Sequence, residues 1–198
     1  MIDEEARVLG RLLKAVTVIE GAREFSLLMP EVRVNLVFAL ADALEPSQVA
    51  AVDGRITVVN GMPKAAGLPK FGVSDHMARA IIEIRKYRPD IRAGINFRYD
   101  EDVKKTVQEY AKERDLSLGG IERILEPDKE KKGIVKSMPW KIKYLKDVCG
   151  QIPDIFYETA GWGKEPLFVV ISQDPVSVVN IAADIAKKYY VSVKSRER

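Results

Sequence analysis

The stretch Val34-Asn35-Leu36-Val37-Phe38-Ala39-Leu40 decides the fold. Its side chains are apolar and often branched, with one polar interruption, which is the composition of a buried strand. It lies inside an extended run from Leu27 to Ala41. Downstream, Arg55-Ile56-Thr57-Val58-Val59-Asn60-Gly61 alternates and ends on a turn pair, which predicts a second strand. Residues 61–72 are rich in glycine and proline and read as a loop.

Helical periodicity surrounds these strands. Residues 3–20 set Val8, Leu9, Leu12, Leu13, Val16 and Ile19 on one stripe. Asp3, Glu4 and Glu5 suit the positive end of that helix, and Gly21 suits its stop. A second helix is predicted from Ser74, with Met77, Ile81 and Ile84 inward and Pro89 ending it. Asp100 caps a third, carrying Val103, Val107, Tyr110 and Ala111. Residues 139–148 read as helical, and Asp174-Pro175 opens a last helix ending near Lys187 and Lys188. Residues 92–96, 154–157 and 167–172 read as strands, and 126–133 as a surface loop. Helices and strands thus intermix without a strict βαβ rhythm. The expectation is one α/β domain over 1–198, with a mixed sheet between helical layers rather than a doubly wound fold.

Charge and composition exclude several functions. With 32 basic and 29 acidic residues the net charge is +3, too small to indicate a nucleic-acid surface. The 31% charged fraction suits a heat-adapted protein. One cysteine, Cys149, allows no internal disulfide and is expected as a buried thiol in a reducing compartment. The acidic N-terminus lacks a secretory pattern, and no apolar run nears the ~20 residues of a membrane span. A cytoplasmic protein without a membrane partner is expected. The single histidine, His76, rules out a His-rich zinc site. No G-x-S-x-G elbow, Walker A sequence or G-x-G-x-x-G fingerprint is present.

Several segments can carry chemistry. In Phe71-Gly72-Val73-Ser74-Asp75-His76, Gly72 allows close ligand approach, Ser74 can cap, and His76 falls in the first helical turn. Free amides there, at the positive dipole end, suit a phosphate or diphosphate. The same dipole lowers the imidazole pKa and favours neutral histidine. An ordinary capped helix with a solvated histidine reads equally from spacing alone. Arg55, after Gly54 at a strand start, is rigidly placed to grip phosphate oxygens, or else pairs with Asp53 on the surface. Gly163, Lys164 and Glu165 follow Trp162 in a short turn. Lys164 and the amides can hold phosphate while Glu165 organises the lysine or a metal-bound water. Alternatively it is a tight turn with Trp162 covering the core. Asn35 and Asn96 sit at or in apolar strands, and each bridges backbone or reads a ligand. Arg92, Arg98 and Arg123 add basic charge that surface ion pairs explain, and Asp100, Glu101 and Asp102 are explained by capping.

In their order, these segments resemble the ThiN family of thiamine-phosphate synthases, which occur alone or at the C-terminus of fused biosynthetic enzymes. The matching stretches are RVLGRLLKA, LMPEVRVNLVFAL, VAAVDGRI, FGVSDHMARAI, RAGINFRYDED, the pairs Glu122-Arg123 and Glu126-Pro127, and GKEP. The resemblance implies a three-layer α/β/α sandwich with a mixed, largely antiparallel sheet, similar to class II aldolases of the AraD-like kind. It implies joining of hydroxymethylpyrimidine diphosphate to thiazole phosphate with release of pyrophosphate. Arg55 and His76 fall on the family's essential arginine and histidine. Asn35, Gly72, Ser74, Asn96, Gly163, Lys164 and Glu165 are then the candidate substrate-binding residues. On that resemblance Arg55, the amides around Ser74 and Mg²⁺, with Lys164 as a further candidate, stabilise the departing diphosphate, and His76 either donates a hydrogen bond to it or positions the pyrimidine. Mg²⁺ accompanying the diphosphate is expected, with no organic cofactor and with unassigned protein ligands. The expected partners are small-molecule substrates, a second copy in a homodimer, and a fused or separate pyrimidine kinase domain. The alternative is a ligand-sensing domain of a transcriptional regulator, which binds thiamine phosphates without turnover.

Overall fold

The computed structural model describes residues 3–127, 137–161 and 163–196. The expected surface loop lies outside them from residue 128 on, as does Trp162. β1 (Leu36–Ala39) is buried along its length. Successive strand side chains face opposite ways. Leu36 and Phe38 therefore enter one core and Val37 and Ala39 another. The first core packs against α1 (Glu4–Glu20), α3 (Glu101–Glu113) and α5 (Pro175–Arg196). The second packs against α2 (His76–Arg85) and α4 (Met138–Cys149). Covering both faces explains the nearly unbroken apolar run, since each fully buried Leu, Val or Phe contributes ~1.5–3 kcal/mol.

The sheet is completed by β2 (Val49–Val52), β5 (Pro69–Phe71), β6 (Ala93–Arg98), β7 (Leu118–Ile121), β8 (Ile155–Glu158) and β9 (Leu167–Ser172). Its seven strands run in the order β5-β2-β1-β6-β9-β8-β7. Every neighbouring pair is antiparallel except β7 with β8. The expected three-layer sandwich with a mixed, largely antiparallel sheet is what forms. On β6, a Cβ at Gly94 would meet Met77 Cε at 3.0 Å and Ile81 Cδ1 at 3.2 Å, so glycine lets α2 approach the sheet.

Several local expectations change. Residues 56–59 do not join the main sheet. They form β3 (Ile56–Val59), which pairs with β4 (Met62–Ala65) through the Asn60-Gly61 turn, both residues having positive φ. The stretch read as a loop therefore holds two strands, β4 and β5. On α1, Leu13 is 45% exposed and Ala15 takes its place in the core. Gly21 ends α1 with φ −77°, not in the left-handed region. Leu27 and Leu28, the start of the expected extended run, belong instead to a 3₁₀ helix (Arg23–Leu28). α5 continues to Arg196, well past Lys188. Cys149 is only half-buried. Asp100 does cap α3, accepting from Val103 N–H at 2.8 Å. Among the described residues no helix is long and apolar enough to cross a membrane.

Candidate active site

The polar interruptions of three strands fall on the face that α2 and α4 cover. Asn35 precedes Leu36, Asn96 lies between Ile95 and Phe97, and Glu158 follows Tyr157, so the twofold alternation turns all three toward that second core. A cavity of about 280 Å³ opens there. Asn35, Asn96, Leu167 and Val169 line it from the sheet, His76 and Met77 from α2, and Lys141 from α4. Arg55, Arg123, Gly163, Lys164 and Glu165 enter from loops.

The amides form a fixed floor. Asn96 Oδ1 accepts from Asn35 N–H at 2.6 Å, and Asn35 Nδ2 donates to Ser74 Oγ at 2.9 Å. Asn96 Nδ2 reaches Arg33 O at 3.4 Å. Both asparagines thus bridge structure, and both also line the cavity. Ser74 Oγ also accepts from Ala78 N–H at 3.3 Å, capping α2 in place of Asp75, which pairs with Arg79. Ser74 and Gly72 do not line this cavity. They border a shallower depression with Ser47 and Asp75. The anion cradle expected around them would thus lie apart from this cavity: Ser74 supports Asn35 from behind, and Gly72 is exposed elsewhere.

Arg55 follows a tight turn in which Gly54 and Arg55 both have positive φ, 69° and 72°. Only glycine takes that conformation without cost, so the strain at Arg55 is held by its neighbours. Its N–H donates to Val52 O, its carbonyl accepts from Ala66 N–H, and its Nη1 donates to Val32 O. Asp53, one alternative partner weighed for Arg55, pairs with Lys70 instead. Glu165 accepts from the amides of Glu31 at 2.8 Å and Val32 at 3.0 Å. It therefore fixes the loop that holds Arg55 rather than organising Lys164. Lys164 Nζ lies 4.0 Å from Glu126, whose buried Oε1 has no hydrogen-bond partner among the described residues.

His76 faces a buried charge cluster. Its Nε2 is 3.9 Å from Glu158 Oε1. Glu158 Oε2 accepts from Arg123 Nε at 3.0 Å, Arg123 Nη2 at 2.6 Å and Lys141 Nζ at 2.6 Å. Glu158, Lys141 and Arg123 are all buried, whereas 42% of the His76 side chain is reached by solvent, through the cavity it lines. Burial opposes ionisation of Glu158, but Lys141, His76 and Arg123 outweigh it and bring its pKa to about 2. Burial lowers the His76 pKa; Glu158 opposes this, and Lys141 and Arg123 reinforce it. The expected direction holds, with desolvation as the largest cause. Burial likewise lowers the Lys141 pKa against the pull of Glu158.

Lys141, Glu158 and the buried role of Arg123 escaped sequence reading. Arg92 and Arg98 do form peripheral ion pairs, with Glu4 and Asp100, but Arg123 does not. The available signals were a lysine within the apolar stripe of Met138, Ile142 and Leu145, and a glutamate at an inward position of β8.

A family model described as "Thiamine-phosphate synthase ThiN" matches residues 11–184. The chain is 34% identical over 176 residues to the "Thiamine-phosphate synthase ThiN" of Methanothermobacter thermautotrophicus, covering 89% of this chain and 90% of that protein. It is 32% identical to the "Bifunctional thiamine biosynthesis protein ThiDN" of Methanocaldococcus jannaschii, covering 82% of this chain but 37% of that longer protein. Among solved structures it resembles the C-terminal domain of phosphomethylpyrimidine kinase. The TM-score is 0.85 at 31% identity, covering 91% of this chain and 99% of that one.

Proposed function

The chain belongs to the thiamine-phosphate synthase ThiN family, and from that membership we propose that its cavity joins hydroxymethylpyrimidine diphosphate to thiazole phosphate. The observation that carries this is one cavity with cationic side chains from Arg55 to Lys141 and a neutral amide floor between them. Such a lining suits two heteroaryl substrates that each bear phosphate. The enzymatic names of both curated relatives favour turnover over sensing.

In the reaction, the methylene C–O bond of the pyrimidine breaks and its electron pair leaves with the diphosphate. The pyrimidine amino group stabilises the cation that develops. The thiazole nitrogen then donates its lone pair to the methylene carbon, forming the C–N bond without losing a proton. Charge on the departing diphosphate is what the protein has to stabilise. His76, whose pKa is lowered by desolvation at the cavity wall and by Lys141 and Arg123, donates a hydrogen bond to that leaving group rather than acting as a base. Arg55 supplies a guanidinium fork for phosphate oxygens.

Mg²⁺ belongs to this proposal as counter-ion of the diphosphate, whose charge it neutralises when bound. Among the described residues no group of three or more His, Cys, Asp or Glu is arranged to hold a metal. That fits an ion coordinated mainly by substrate oxygens and water, as is usual for Mg²⁺ on phosphates. A cytoplasmic location suits the unpaired Cys149. A homodimer completes the proposal and is read by light scattering.

Incubating the purified chain with both substrates and Mg²⁺, with mass detection of thiamine phosphate, tests the activity. Product with matching pyrophosphate is expected. Binding of both substrates without product would favour the sensor instead.

A further inference from the structure

The cationic groups of the cavity stand at its two ends. Arg55 follows β2 directly, whereas Glu158, which holds Lys141 and Arg123, ends β8. In the sheet order β2-β1-β6-β9-β8 those strands are four steps apart, and Glu165 spans the ground between the side chains, its carbonyl accepting from Arg123 Nη1 at 3.4 Å and its carboxylate holding the loop whose Val32 O receives Arg55. Asn35 and Asn96 lie between, on β1 and β6. The two ends also differ in kind. At the β8 end, Lys141 and Arg123 are sealed from bulk water yet line the cavity. Among the described residues Lys141 gives one hydrogen bond, to Glu158, and an ammonium has three to give. His76 faces the same end, and Lys164 enters it beside Glu126. At the β2 end a single guanidinium, steadied by Val32 O, presents a planar fork.

Such asymmetry suits two different anions. A diphosphate carries more charge and more acceptor oxygens than a terminal monophosphate, and its departing oxygen has to lie beside His76. Resting on the synthase assignment above, we propose that Lys141 and Arg123, fixed on Glu158, form the diphosphate subsite, while Arg55 takes the phosphate of the thiazole substrate. Glu158 is then a positioning residue. Its Oε2 takes three hydrogen bonds from Arg123 and Lys141, which fixes both cations, while its Oε1 lies 3.9 Å from His76 Nε2. Glu126 is the other carboxylate acting on Lys141, and its own cationic neighbour is Lys164.

Calorimetric titration of the full chain with inorganic pyrophosphate, and separately with thiazole phosphate, at one Mg²⁺ concentration, tests the partition. Lys141→Met is expected to weaken pyrophosphate binding at least about tenfold, the loss of a charge-assisted hydrogen bond, and to leave thiazole phosphate within about threefold. Arg55→Gln is expected to do the reverse. Because removing Lys141 alone strands a buried carboxylate, the double variant Lys141→Met/Glu158→Gln serves as a folded control, and it is also expected to lose pyrophosphate. Wild-type-like pyrophosphate binding by that double variant would overturn the assignment. So would loss of pyrophosphate in Arg55→Gln alone, or equal loss of both ligands in both variants. Calorimetry needs no turnover. A chain that shows this partition but makes no thiamine phosphate would therefore refute the synthase activity and leave the subsites standing.

Discussion

Lys141 Nζ and Glu158 Oε2 are 2.6 Å apart, and neither side chain is more than 3% exposed. A lysine from α4 and a glutamate from β8 thereby tie a helix of one layer to the sheet at the cavity wall. Desolvating both charges is costly, and only their pairing, with Arg123 as a third member, offsets it. A buried pair of this kind is weak evidence for stability alone, and its place in the cavity gives it a functional reading.

Breaking the pair should be expensive. Lys141→Met alone is expected to destabilise the fold by about 3–5 kcal/mol, because it leaves Glu158 with one fewer cation. Pairing it with Glu158→Gln should recover at least about 1 kcal/mol of that loss, a coupling expected of residues in contact. Urea unfolding of the four proteins in the cycle measures this, and strict additivity would show that the two residues are not coupled.

The pH dependence of stability has a definite sign. His76 has a folded pKa below its ordinary 6.5, so folding disfavours its proton and stability falls as pH drops below 6.5. Glu158 is depressed from 4.5 to about 2, so its contribution is full above 4.5 and is lost as pH falls toward 2. That second window is worth on the order of 3 kcal/mol. Urea midpoints from pH 8 to 3 should show His76→Gln flattening the upper part of the slope and Glu158→Gln the lower part. Unchanged slopes in both variants would contradict the assignments.

Asn96→Leu removes the acceptor of Asn35 N–H and leaves that buried donor unpaired. A loss of about 1–3 kcal/mol is expected from thermal unfolding. Product formation should fall further than the stability loss explains, since the amide floor also lines the cavity. A variant as stable and as active as the parent would remove Asn96 from the floor.

Chelation addresses the metal. Adding EDTA in excess over Mg²⁺ should abolish thiamine phosphate formation, and restoring Mg²⁺ should recover it. Undiminished activity in EDTA would separate the reaction from any divalent ion.

Much of the architecture was legible because it rests on periodicity. The run from Val34 to Leu40, the stripe of α2 and the Asp100 cap each follow from local rules, and the structure contains them. β7 was hidden because two of its four residues, Gly119 and Gly120, carry no side-chain pattern. β4 and β5 were hidden by Pro63 and Pro69, which a hairpin and a sheet edge tolerate. At the site, Arg55 and His76 were found through resemblance and short-range context. Gly72 and Ser74 shared that context, but a helix start has two sides, and only His76 and Met77 turn inward to the cavity. Glu158 and Lys141 acquire meaning only across 17 residues of chain and two layers of the fold, which neither local pattern reports.

The most direct measurement is the initial rate of thiamine phosphate formation from both substrates by the parent chain and by Arg55→Ala and His76→Ala, each first shown to be folded. The parent should turn over, and each variant should lose at least about 10²-fold: His76→Ala through the hydrogen bond to the departing diphosphate, and Arg55→Ala through the grip that positions the second substrate for attack. An inactive parent, or variants that retain near-parental rates, would contradict the account.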